Sequence, residues 1–422
     1  MVGLRRLWPL LALETATALG GIANGIATVA FPWLVLERTG DPSAAAAVGA
    51  VTLIPLLATS LISGTIVDLV GRRAVSVTSD LLSLMSVAAI PLLDAWIGLG
   101  IGWLAALAVL GATFDPAGIT AREAMLPDAA RASGVAPERA NGIHEATWGV
   151  AFLVGPGVAG LLIALVGAVA TFWGTAACFG AAAILLAIVP IPGAGRPVAE
   201  AREAGFLGAT LEGLAFLWRD RVLRSVAVLS ALLIGLWLPV EGVILPVYFQ
   251  ERGAPGQLGA VLMALSGGAV LGALAYAAIG ARFRRRTAYV GSMVGTALAV
   301  VGMAFLPPLV GLLMFGFAAG ALYGPINPII NIAMQERTPN ALRGRVVGLI
   351  TSVSYAAGPA GYLVAGPVIN AVGLQAAFLL FAGGLVAVAV GSFAVGALRG
   401  LDRTAVPKSA PAPGAIERGN VA

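Results

Sequence analysis

Two segments 214 residues apart carry the same apolar pattern. Residues 29–40 read VAFPWLVLERTG and residues 243–253 read VILPVYFQERG, so Pro32 matches Pro246 and Glu37-Arg38 matches Glu251-Arg252. The echoes continue in order along the chain. FDP (Phe114 to Pro116) returns as YGP (Tyr323 to Pro325), and VGPGVAG (Val154 to Gly160) returns as AGPAGYL (Ala357 to Leu363). A sequence written twice folds into two similar halves, because each copy meets its apolar pattern in the same way. In so apolar a chain, paired halves point to a polytopic membrane protein of the secondary-transporter kind.

Composition says which solvent the halves face. Of the 422 residues, 59% are hydrophobic and 11% charged. A soluble domain is about 25% charged. Too few charges are present to cover a water-facing surface, so the surroundings are largely lipid. In lipid, backbone groups are satisfied only in helices or closed barrels. The long Leu/Ala/Val/Gly runs lack the period-two alternation of barrel strands and indicate helices.

A membrane helix needs about 20 apolar residues. Twelve such runs are predicted: 8–36, 44–68, 74–93, 96–118, 143–166, 168–190, 222–249, 257–280, 287–306, 308–333, 345–370 and 373–398. The expected fold is therefore all-α, with twelve transmembrane helices in two pseudo-symmetric six-helix bundles. The bundles are expected over 1–190 and 222–398. Between them, 191–221 reads as a linker with an amphipathic helix, its apolar face formed by Phe206, Leu207, Leu211, Leu214, Phe216, Leu217 and Trp218. Residues 399–422 read as a disordered tail. Arg5-Arg6 before LWPLLAL resembles a signal-peptide start, but Glu14 interrupts the run, which continues to Leu36; a first spanning helix is expected.

Basic residues set the orientation. With twelve helices, all but Arg38 and Arg252 of the 25 lysines and arginines fall on the side of the termini. By the positive-inside rule, both termini and the linker are expected in the cytoplasm, with the protein in the plasma (inner) membrane. The net charge of +5 is then a topology signal and an anionic-lipid contact, with no nucleic-acid partner implied.

The second helix ends in SGTIVDLVGRR. Gly64 permits close helix approach. Asp68 stands one turn on, where it can accept charge-assisted hydrogen bonds, and Gly71-Arg72-Arg73 forms a tight basic turn. This spacing resembles the loop 2–3 signature of the major facilitator superfamily, whose two six-helix bundles also match the duplication. The resemblance implies a gating role for Gly64, Asp68, Gly71, Arg72 and Arg73. The second copy, IGARFRRR, is basic but lacks the acid. In helix 5, Gly155-Pro156-x-x-Ala159-Gly160 combines a helix-bending proline with small residues. It resembles the helix 5 signature of drug exporters in that superfamily and marks Gly155, Pro156 and Gly160 as gating residues. The arginine common within helix 4 of proton-antiporting relatives is expected to be absent.

Longer stretches carry a narrower likeness: VAFPWLVLERTG, TAREAMLP (120–127), ANGIHEA (140–146), LPVEGVILP (238–246), LYGPINPIIN (322–331) and LRGRVVGLITSVSYAAGP (342–359). Together they resemble the actinobacterial Tap-type multidrug exporters. That resemblance implies proton-linked efflux of amphiphilic or cationic drugs such as tetracycline and aminoglycosides.

Ionisable groups inside a membrane are costly and usually face a cavity or a partner. Glu241, between Pro239 and Pro246 in helix 7, is the leading candidate for carrying a proton and attracting a cationic substrate. Glu14 and Glu145 are further proton-coupling candidates. Asp80 and Asp115 are expected to pair with loop arginines, and Asp94 to be simply solvated. His144 opens helix 5 and is either a relay or an interfacial residue. Asn24, Trp148, Tyr323, Asn327, Asn331 and Tyr355 are candidate substrate contacts. Asn327 and Asn331 share a helix face, and Trp148 can stack on a cation. Interhelical packing is the alternative for each.

Other chemistries find no support. Cys178 is the single cysteine and His144 the single histidine, so no metal set of these residues is expected. No GxxxxGK[ST] loop is present for ATP, and no nucleophile, base and orienter set suggests an enzyme. No cofactor is implied. The expected partners are a small-molecule substrate, protons and membrane lipids, with the protein a monomer. Export of an endogenous lipid or siderophore, and nutrient import by proton symport, are the alternatives.

Overall fold

In a computed structural model, residues 2–192, 214–339 and 343–402 are described. Twelve long helices follow one another among the described residues: α1 (Val2–Thr39), α2 (Pro42–Val70), α3 (Arg72–Ile97), α4 (Ile101–Ser133), α5 (Pro137–Val166), α6 (Ala168–Ile188), α7 (Arg221–Gln250), α8 (Pro255–Ile279), α9 (Arg285–Ala304), α10 (Leu309–Arg337), α11 (Arg343–Val372) and α12 (Leu374–Ala394). All but α11 are long and apolar enough to cross a membrane by length and composition. The 30 residues of α11 also exceed the roughly 20 that a span requires. No strand occurs among the described residues.

Local chemistry explains where the rods start and stop. Asp41 caps α2 by accepting from the Ser43 backbone N–H at 2.8 Å, and Pro42 occupies the first helical position. Gly71 turns the chain between α2 and α3 at φ 106°, a conformation a side chain would strain. Asp220 caps α7 through the backbone N–H groups of Val222 and Leu223. Within α7, Val240–Ile244 form a π turn between Pro239 and Pro246. Each proline lacks a backbone donor, and the widened turn absorbs the break in the hydrogen-bond ladder.

Two helices differ from expectation. Predicted over 96–118, α4 runs on through TAREAMLP to Ser133, so Arg122 lies inside it and not in a loop. The expectation that helix 4 holds no arginine is corrected accordingly. The second-copy counterpart, α10, breaks at Gly324-Pro325 into Leu309–Tyr323 and Ile326–Arg337. The predicted amphipathic linker segment lies largely outside the described residues; residues 214–219 are helical, with Leu217 buried. Of the predicted tail, 403–422 lie outside the described residues. Residues 399–402 belong to the 3₁₀ segment Gly396–Asp402, which buries Leu398 and Leu401, so this start of the tail is packed.

The first six helices pack as one bundle and the last six as another. The end bearing the termini also bears Arg72, Arg285 and Arg337, and is called the basic end below. Here the halves use matching ion pairs. Arg72 at the start of α3 meets Asp128 of α4 at 2.8 Å, and Arg285 at the start of α9 meets Glu336 of α10 at 2.6 Å.

The bundles join through α2 with α11 and α5 with α8. The seam is tightest at the opposite end. A Cβ added to Gly366 would lie 2.4 Å from the Ser43 Cα, and one added to Gly160 would lie 2.5 Å from the Pro255 carbonyl oxygen. The Asn370 amide donates across the seam to Asp41 Oδ1 at 2.8 Å and Ser43 Oγ at 2.9 Å. Towards the basic end the seam loosens. Nothing stands within 4 Å of a Cβ at Gly64, and Glu123, Glu145, Asn327 and Asn331 are exposed.

Candidate functional site

The π turn of α7 packs against α1, α2 and α11, which puts Glu241 at the junction of the bundles. The side chain of Trp237, four residues earlier, reaches the Glu241 carboxylate. The Trp237 indole stacks on Tyr323 of α10, with ring centroids 5.7 Å apart and planes 13° from parallel. From α11, Tyr355 and Tyr362 are close enough to interact electrostatically with Glu241. The Tyr362 hydroxyl lies where a Cβ on Gly242 would approach to 2.0 Å, so Gly242 makes room for it. Tyr355 is 40% exposed, so the site opens on one side.

A carboxylate walled by four aromatic rings has a definite chemistry. The rings offer apolar faces and a negative quadrupole that attracts cations. The carboxylate supplies one charge that a proton can cancel. Sequence reading found Glu241, Tyr323 and Tyr355 but missed Trp237 and Tyr362. Trp237 was discoverable from its i, i+4 spacing to Glu241. Tyr362 had no local signal, because α11 brings it from far along the chain.

The facing bundle holds a separate polar network. Glu14 of α1 is buried, 6% exposed, and its oxygens lie 3.1 and 3.3 Å from Nδ1 of His144 on α5. Trp148 Nε1 donates to His144 Nε2 at 3.3 Å. Because Nε2 accepts, Nδ1 carries the imidazole hydrogen and donates to Glu14. Trp148 then stacks on Phe152 at 5.7 Å. Glu123 and Glu145 stand exposed near this chain, both within electrostatic range of His144.

One layer along α1, the Asn24 amide donates to both oxygens of Asp115 on α4 at 2.9 Å. Arg122, 3% exposed, pairs with Asp80 of α3. Its guanidinium lies against α1, where a Cβ on Gly20 would meet it at 2.4 Å. The second oxygen of Asp80 and Nε of Arg122 are buried with no hydrogen-bond partner among the described residues. Asp80 thus pairs with a helix arginine and Asp115 with an amide, where loop arginines were expected for both. Asp94 corrects a further expectation: it is not free in solvent, but accepts from Arg38 at 2.6 Å and from the Leu99 backbone N–H at 3.0 Å.

The remaining candidates are spread along the seam. Gly155 packs on Gly25 of α1, whereas Pro156 and Gly160 meet Gly259 of α8 across the bundle junction. Asn327 and Asn331 lie on the basic-end half of α10. Asp68 ends α2 at the basic end, where no basic side chain among the described residues pairs with it; Arg72 is engaged by Asp128. Gly64, Gly71 and Arg73 lie in the same corner. No group of three metal-binding side chains occurs among the described residues.

Comparisons with known proteins agree with this architecture. The family model described as Major Facilitator Superfamily matches residues 13–362 and 240–418. The chain is 43% identical over 399 residues to the multidrug efflux pump Tap of Mycobacterium tuberculosis (strain ATCC 25618 / H37Rv), covering 93% of this chain and 95% of that protein. It is also 43% identical over 402 residues to the pump of the same name from Mycolicibacterium fortuitum, covering 94% and 98%. Among solved structures, the nucleoside transporter NupG superposes with a TM-score of 0.76 at 15% identity, covering 92% of this chain and 98% of that one. That likeness concerns the fold. A multi-pass membrane protein of two six-helix bundles, matched by this model over most of its length and by these pumps over nearly all of it, belongs to the major facilitator superfamily.

Proposed function

We propose that this protein is a secondary active exporter of amphiphilic, cationic drugs, tetracycline and aminoglycosides among them, exchanged for protons by alternating access. The observation that carries the proposal is Glu241 in its aromatic cage at the bundle junction. The name shared by the mycobacterial relatives, multidrug efflux pump, supports drugs as the cargo.

In this reading the basic end, with both termini, faces the cytoplasm, as the distribution of arginine favours. The structure is then open inwards and sealed outwards by the Asp41–Asn370 contact. A cationic substrate entering from the cytoplasm displaces the proton from Glu241 and takes its place at the carboxylate, while Trp237, Tyr323 and Tyr355 accept its flat or charged portion. Asn327, Asn331, Trp148 and Asn24 line the way between the bundles. Once the site faces outwards, a proton taken up by Glu241 cancels the charge that held the cation, and the substrate leaves. Glu14, through His144, and Glu145 pass the proton towards the cytoplasm. Asp68 has no ion-pair partner among the described residues while the basic end is open and gains one when it closes, with Arg72 and Arg73 beside it. The glycines at 64, 71, 155 and 160 and Pro156 let helices slide at the seams. The protein functions as a monomer, its halves at 1–190 and 222–398.

The test is accumulation of labelled tetracycline in efflux-deficient bacteria with and without the protein, repeated with a protonophore. Lower accumulation that the protonophore abolishes supports the proposal. Accumulation that is unchanged, with the protein verified in the membrane, removes tetracycline from its substrates.

A further inference from the structure

Away from the bundle junction, α7 and α12 form a wedge. They touch where a Cβ on Gly384 would lie 3.0 Å from Leu236. Two turns nearer the basic end, no described residue stands within 4 Å of a Cβ on Gly391. The gap is an open groove of about 540 Å³. Its walls are apolar, with Val228, Leu232 and Val388 among them, and one charged residue, Arg224, stands at its basic-end mouth. Val228 and Leu232 are 42% and 48% exposed on a membrane-spanning rod, so lipid is what covers them.

Arg224 is suited to hold an anion there. It lies in the first turn of α7, at the basic end of the rod, and it is exposed. One guanidinium nitrogen donates to the Trp218 carbonyl at 3.2 Å, which fixes the side chain and leaves further N–H donors unused. No described carboxylate pairs with it. Trp218 is 47% exposed, in the position that interfacial tryptophans favour. Arg221, one turn earlier, adds a second exposed positive charge. An apolar slot with a fixed arginine at its headgroup end matches a lipid with a negative phosphate and an acyl chain.

We propose that the α7–α12 wedge binds one anionic phospholipid, its phosphodiester on Arg224 and an acyl chain along Val228, Leu232 and Val388. This site is separate from the Glu241 cage and does not depend on what the protein transports.

The experiment is native mass spectrometry of the purified full chain, titrated with phosphatidylglycerol and with phosphatidylcholine of the same chains. Wild type should bind phosphatidylglycerol several-fold better. Arg224→Gln should remove that preference, Gly391→Leu should weaken both lipids by filling the slot, and Arg139→Gln, at an exposed arginine of the other bundle, should change nothing. Equal binding of the two lipids by wild type, or the same adducts in Arg224→Gln as in wild type, overturns the proposal. A photoreactive residue at Val228 gives a second readout in the intact fold. Cross-linking to lipid supports the site, and cross-linking to residues 193–213 of the same chain overturns it.

Discussion

Trp237 and Glu241 stand four residues apart on α7, and the side chain of the first comes up against the carboxylate of the second. The contact spans the start of the π turn, so the backbone irregularity and the acid belong to one feature. Hydrogen bonds to charged groups are worth about 1.5–3 kcal/mol. Trp237→Phe keeps the ring that stacks on Tyr323 and removes the donor. Its expected effect is a roughly 10-fold loss of affinity or transport, since about 1.4 kcal/mol is tenfold. Transport kinetics in proteoliposomes check it.

Glu241→Gln keeps the size and hydrogen-bonding capacity of the side chain and deletes its charge. Drug export driven by a proton gradient should fall at least about 10-fold, with expression and thermal stability unchanged. Uncharged substrates should keep their affinity, whereas cationic ones should lose it. Equilibrium binding of a matched neutral and cationic pair separates the two.

The Arg122–Asp80 pair should behave as a buried ion pair. Removing one partner strands the other charge, at a cost of about 3–5 kcal/mol. Arg122→Met and Asp80→Leu should each lower the melting temperature strongly, and the double variant should recover most of the loss. Fluorescence-detected melting of the three variants in detergent tests this coupling.

Gly160 and Gly259 hold α5 and α8 at backbone contact. Gly160→Leu has no room without separating the helices. Transport should fall below about one-tenth of wild type, because the seam must stay packed while the bundles rock. Gly64→Leu meets open space in this state and should leave folding intact. Size-exclusion profiles alongside transport rates distinguish the two outcomes.

Asp41 gives the opposite-end seal a pH dependence. The Asn370 amide, and then the Ser43 backbone N–H, hold its carboxyl below its usual value of 3.8. A depressed carboxyl contributes stability above its ordinary pKa and loses it as pH falls through the lower folded value. The seal should therefore be intact at neutral pH and weaken only in acid below about 4. Spin-label distances between the tips of α2 and α11 should lengthen at that pH, and Asn370→Ala should lengthen them already at pH 7.

What could be read from the sequence depended on how local the determinant was. The apolar rods and their division into two bundles were legible because hydropathy and the internal repeat report them directly, and Glu241 stood out as a charge within an apolar run. Arg122 was misplaced because α4 continues past the apolar run. Its 33 residues extend about 50 Å, beyond a hydrocarbon core of about 30 Å, and polarity there no longer marks a helix end. The acid missing from the second basic turn misled in another way. Arg285 finds Glu336 on α10, and Arg72 finds Asp128 on α4, so the repeat is kept in partners remote in sequence. Glu14–His144 and Glu241–Tyr362 were illegible for the same reason: tertiary packing brings each pair together.

The most direct test of the account is proton release on substrate binding. Purified protein in weakly buffered detergent solution, near neutral pH, is mixed with a cationic substrate while a pH indicator is followed. Wild type is expected to release protons as the cation displaces them from Glu241, and Glu241→Gln, folded to the same degree, to release none. Equal release from Glu241→Gln would contradict it and place the exchanged proton elsewhere in the molecule.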